Sequence, residues 1–101
     1  MKVIKGNNDN FDSLIESGRV LVDFNADWCG PCQMLKPTIE EYAEEQDDVK
    51  VISVNIDDED LLAEKYGITS IPCLIYFKDG KEVDRSVGLV PKDRIESLVG
   101  E

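Results

Sequence analysis

The chain has 101 residues, 42% of them hydrophobic, with a net charge of −11 and no histidine. That length fits one domain, residues 1–101, able to bury roughly two-thirds of its unfolded surface without a staple or a metal, and the apolar content excludes disorder. The acidity would repel nucleic acid and anionic membrane surfaces, so neither is an expected partner. The longest apolar run, Ile71 to Phe77 with Pro72 inside it, is too short to span a bilayer. The N-terminal MKVIKGNNDN lacks the hydrophobic core of a signal peptide, so the cytoplasm is the expected compartment. Three cysteines in a reducing compartment point to redox or core roles rather than to a disulfide framework.

In chain order, Val3 and Ile4 suggest a short first strand. A helix is predicted from about Asn10 to Glu16, burying Phe11, Leu14 and Ile15 and stopping at Gly18. Arg19 to Ala26 is a near-continuous apolar run, as in a strand covered on both faces. A long helix follows from about Pro31 to Glu45, with Pro37 expected to kink it. Val49 to Asn55 alternates as a further buried strand, and Asp60 to Tyr66 is a short helix closed by Gly67. Ile71 to Phe77 and Lys81 to Val87 are two strands joined by the hairpin signal Asp79-Gly80. Pro91 opens a last helix with Ile95, Leu98 and Val99 on its inner side. The order β-α-β-α-β-α-β-β-α predicts a three-layer α/β domain, its first three strands parallel and its last two an antiparallel hairpin.

The chemistry concentrates at 28–32, WCGPC, where the strand gives way to the long helix. Unpaired N–H groups and partial positive charge at a helix start stabilise a thiolate, which makes Cys29 the candidate nucleophile. Pro31 suits the first turn, where a missing N–H costs nothing. Cys32, three residues on, shares the helix face, and that spacing can reach disulfide range. Cys32 is expected deeper and protonated until it attacks. A structural zinc site would need four ligands, and one pair, one separate cysteine and no histidine do not supply them. An inert staple is also a poor reading, since so small a loop removes little unfolded-chain entropy.

Several residues carry two readings. Asp23 in VLVDF is either a salt-bridged or edge carboxylate, or a desolvated one with a raised pKa that could take the proton of Cys32. Trp28 is either packing or a shield over the sulfurs. Pro72 is either an edge residue or the site of a cis bond, with trans favoured for an isolated Ile-Pro. Cys73 is either a small core residue or a third reactive thiol, the core being the commoner fate. Asp57 to Asp60 lacks the glycine and spacing of a calcium loop and reads as acidic residues at a helix start.

Together these stretches resemble the thioredoxin family over nearly the whole chain: VDFNADWCGPC at 22–32, Pro37, NID at 55–57, KYGI at 65–68, SIPCLIYFKDGK at 70–81 and VG at 87–88. The resemblance implies the thioredoxin fold, a three-layer α/β/α domain with a mixed five-stranded sheet in order 1-3-2-4-5 and four helices. It implies a cis bond before Pro72, set against the cysteines. It implies reduction of protein disulfides through a redox-active Cys29–Cys32 disulfide with no other cofactor and no metal, in a protein recharged by a thioredoxin reductase and expected to be a monomer. By position, Cys29 looks like the attacking thiol, Cys32 the resolving one and Asp23 the family's buried aspartate. Trp28, Gly30, Pro31, Ile71, Pro72, Val87 and Gly88 look like the surface that receives substrate. Asn25 stands where the family often has tryptophan, Ser53 where it often has lysine, and Cys73 where it often has threonine. Asp23 is therefore expected to lack a cationic partner, and the Cys73 thiol to lie near the disulfide.

Gly-Pro stands between the cysteines where a histidine would stabilise a thiolate, and the nearby Asp23 and Asp27 and the overall negative charge disfavour one, so the reduced form should give electrons away. The resemblance implies a potential near about −270 mV, the value of thioredoxin itself, rather than about −120 mV for an oxidant of the same fold. An oxidase or isomerase would show a potential above about −200 mV. A binding module with an incidental CxxC would keep its role when Cys29 is replaced by serine.

Overall fold

A computed structural model describes residues 1–100; Glu101, included in the expected domain, lies outside the described residues. The elements are β1 (Ile4–Lys5), α1 (Phe11–Ile15), β2 (Arg19–Asn25), α2 (Gly30–Glu44), β3 (Val49–Asn55), α3 (Asp60–Lys65), β4 (Cys73–Lys78), β5 (Lys81–Val87) and α4 (Lys92–Val99). They follow the expected order. One sheet runs β1-β3-β2-β4-β5. β3 pairs in parallel with both β1 and β2, whereas β4 is antiparallel to β2 and to β5.

The alternation of β2 sorts the core into two layers. Val20, Val22 and Phe24 join Phe11 and Ile15 of α1 and Leu62 of α3 on one face. Leu21 joins Leu35, Ile39 and Tyr42 of α2 and Ile95 and Leu98 of α4 on the other. A strand used on both faces must be apolar throughout, which explains the unbroken run in β2. Asp23 shares the parity of Leu21 and so belongs to the face that α2 covers.

Among the boundaries that differ from expectation, two matter for the site. β2 ends at Asn25, which frees Ala26 to Cys29 to form the turn into α2. β4 begins at Cys73 rather than Ile71, because Pro72 has no N–H to give a strand ladder. The Ile71–Pro72 bond is cis. The hairpin is as expected: Asp79 and Gly80 both take positive φ, 50° and 84°, the backbone that a two-residue hairpin turn requires. At the sheet margins, β1 is two residues long, and β5 exposes Lys81, Glu82, Val83 and Asp84, with a register shift in its pairing at Tyr76/Phe77.

Candidate active site

Cys29 is the N-cap of α2, with extended backbone, and its Sγ accepts a hydrogen bond from the Cys32 N–H at 3.2 Å. Gly30 and Pro31 occupy the first helical turn, where proline sacrifices no hydrogen bond. Cys29 and Cys32 are joined as a disulfide with their Cα atoms 5.2 Å apart. The pair packs with Ala26 and against Ile56 and Ile71. The Cys29 Sγ lies 3.9 Å from the Ile71 carbonyl oxygen, so the segment before β4 borders the disulfide.

Cys32 was expected to be the deeper of the pair; the two are almost equally buried, 3% exposed for Cys32 and 4% for Cys29. Their neighbours set them apart. Cys32 borders a cleft of about 440 Å³ whose walls include Asp23, Asn25, Ser53 and Lys36. Asp23 is buried, and desolvation lifts its carboxyl to about 6 against a weaker opposing pull from the Asn25 amide. Its Oδ2 accepts from Asn25 Nδ2 at 3.3 Å, and its Oδ1 is buried with no partner. None of the ion pairs among the described residues involves Asp23. Of the two readings of this carboxylate, the desolvated one describes its surroundings.

The remaining residues fall into two groups. Gly88, at φ 102°, donates its N–H to the Pro72 carbonyl at 2.8 Å, which brings the end of β5 to the cis proline. Val87 is exposed, Gly88 and Ile71 are half-buried and Pro72 is buried, while Gly30 and Pro31 are exposed at the helix start. Trp28 is not core packing: the residue is 70% exposed, and its Nε1 donates to Asp57 Oδ2 at 2.8 Å. Asp57 is thus a tether, and Asp60 opens α3. No group of three metal-ligating side chains gathers among the described residues.

Cys73 stands apart from the disulfide cluster. Its side chain joins the α1/α3 core, 1% exposed, and burial pushes its thiol up. Sequence reasoning singled out Asn25 and Ser53 as departures but missed that they bond each other, Asn25 Nδ2 donating to Ser53 Oγ at 2.8 Å. The signal was in the register: Asp23 pairs with Ser53 and Asn25 with Asn55, so alternation puts all four on one face.

A disulfide at the junction of a buried strand and a helix N-terminus, with a desolvated carboxylate in the cleft that the second cysteine also borders, defines a thiol–disulfide oxidoreductase. The Thioredoxin family profile matches residues 2–101. Thioredoxin of Chlamydia caviae is 54% identical over 93 residues, covering 92% of this chain and 91% of that protein. Thioredoxin of Bacillus subtilis is 41% identical over 100 residues, 98% of this chain and 96% of that protein. A variant thioredoxin from Halobacterium salinarum superposes with a TM-score of 0.89 at 37% identity, over 97% of this chain and 88% of that one. The chain belongs to the thioredoxin family, and it is a dithiol–disulfide reductant. Members of this family work through a redox-active cysteine pair without a cofactor, on disulfide-containing proteins and generally with a thioredoxin reductase. Among the described residues no helix is long and apolar enough to cross a membrane.

Proposed function

We propose that Cys29 attacks and Cys32 resolves. In the reduced protein the Cys29 thiolate attacks one sulfur of a protein disulfide; that S–S bond breaks and a substrate thiolate leaves. The Cys32 thiol then gives its proton to the Asp23 carboxylate and attacks Cys29 Sγ. The Cys29–Cys32 bond forms, the second substrate thiolate departs, and two electrons have passed to the substrate. With its two sulfurs on one helical turn, the second step is effectively intramolecular. The observation that carries this assignment is the Cys32 N–H aimed at Cys29 Sγ, 3.2 Å away, at the positive end of α2.

Trp28, Gly30, Pro31, Ile71, Pro72, Val87 and Gly88 form the surface on which the substrate chain lies. A thioredoxin reductase returns the electrons, and the protein works as a monomer in the cytoplasm. The test is reduction of insulin disulfides by wild type and by Cys29→Ser, with a redox titration of the wild type. Loss of activity in the variant and a potential near about −270 mV are expected; equal rates would remove the assignment of Cys29, and a potential above about −200 mV would favour an oxidase or isomerase.

A further inference from the structure

The Asn25 amide has two protons and three oxygens within reach: Ser53 Oγ at 2.8 Å, the Asp23 carbonyl at 3.1 Å and Asp23 Oδ2 at 3.3 Å. The shortest bond goes to Ser53, leaving the second proton to be divided between two oxygens of Asp23. The carboxylate thus receives the weakest share, and its other oxygen has no partner. Asn25 and Ser53 are both half-buried and face the cleft that Asp23 and Cys32 also border.

We propose that Asn25 is a positioning residue for the exchange reaction: its amide, steered by Ser53, decides how readily Asp23 takes and returns the proton of Cys32. This rests on the base role proposed for Asp23. The other charged groups lining the cleft come from each element around it: Lys5 of β1, Asp27 after β2, Lys36 and Glu40 of α2, and Asp58 after β3. None is bonded to the carboxylate; Asn25 is the side chain that is. The buried Cys73 thiol lies close enough to feel the Asp23 charge but borders the other core layer. The local control of Asp23 is therefore a neutral hydrogen-bond competition, and it has a sign. Without the amide, the carboxylate loses its one donor. Without the Ser53 hydroxyl, both amide protons turn to Asp23 and the carboxylate gains.

The test is the titration of Asp23, followed by carbon NMR of its labelled carboxyl, in Asn25→Ala and Ser53→Ala. The midpoint is expected to rise by about one pH unit in Asn25→Ala, the size of one weak charge-assisted bond, and to fall by a smaller amount in Ser53→Ala. Ser53→Ala replaces a half-buried side chain by a smaller one and keeps the test open should Asn25→Ala not fold. Movement of both midpoints in one direction, as from a merely loosened cleft, would overturn the proposal, as would no movement in either. The pH profile of insulin reduction separates this from the reading beneath it. If the midpoints move in opposite directions but the rate profile does not follow them, the competition stands and the base role of Asp23 fails.

Discussion

Cys32 and Cys73 are almost equally hidden from solvent, 3% and 1% exposed, yet they sit in opposite chemical surroundings. Cys32 lies in the first turn of a helix, is bonded to Cys29 and borders a polar cleft with a carboxylate in its wall. Cys73 starts a strand and points into an aromatic and aliphatic layer with Phe24 and Ile75. Depth therefore does not decide what a thiol can do here. In the roles proposed above, an exit for the proton and a nearby sulfur do, and the two faces of one sheet supply them unequally.

The largest expected effect separates the two regions outright. Cys29→Ser should lower insulin reduction by at least about a thousandfold, because no other sulfur is placed to start the exchange. Retained activity, lost only when Cys73 is also replaced, would mean that Cys73 attacks, and the contrast would collapse. Next, Cys32→Ser should keep the first step and lose the second, so that mixed disulfides with substrate proteins accumulate and can be isolated under non-reducing electrophoresis.

Asp23→Asn tests the cleft itself. Resolution should slow by about ten- to a hundredfold at neutral pH, as for loss of a general base. Stability should change in the opposite sense. A carboxyl at about 6 in the folded chain, against 3.8 as its ordinary value, binds protons more tightly folded than unfolded. Folding is therefore free of this penalty below about pH 4, loses stability as pH rises to about 6, and bears the full cost above. About two pH units amount to about 3 kcal/mol, which Asp23→Asn should recover at pH 7 and not at pH 4 in urea unfolding. Equal gains at both values would show that charge burial is not the cause.

The smallest effect belongs to the other face. Cys73→Ala should cost about 1 kcal/mol through lost packing and leave the reduction rate within about twofold. The native Cys73 thiol should resist alkylation until the chain unfolds. A rate change beyond that range would place Cys73 in the reaction.

The order of elements was legible because each signal has a local cause. β2 is apolar on both faces, Asp79-Gly80 permits the positive φ of its turn, and Gly-Pro begins α2 without losing a hydrogen bond. The start of β4 was misplaced by two residues because Ile71 and Pro72 are apolar yet belong to the segment beside the disulfide. The cis bond was legible only through the family resemblance, since nothing in the dipeptide itself distinguishes it. The sequence leaves Trp28 between packing and a shield over the sulfurs, and its tether to Asp57 depends on where the turn after β3 ends in space. The Asn25–Ser53 bond needed the β2/β3 register: a slip of one residue would turn one of the two to the opposite face.

The blunt margins of the sheet have a consequence for how such a protein lives among its clients. A reductant meets chains that are strained or partly opened, with strands looking for a template. β1 offers two residues and β5 offers exposed charges of both signs and a broken register, so neither margin invites a foreign strand to zipper on. Visiting chains are left to dock elsewhere, and high concentrations of this protein among unfolding neighbours should not seed fibres.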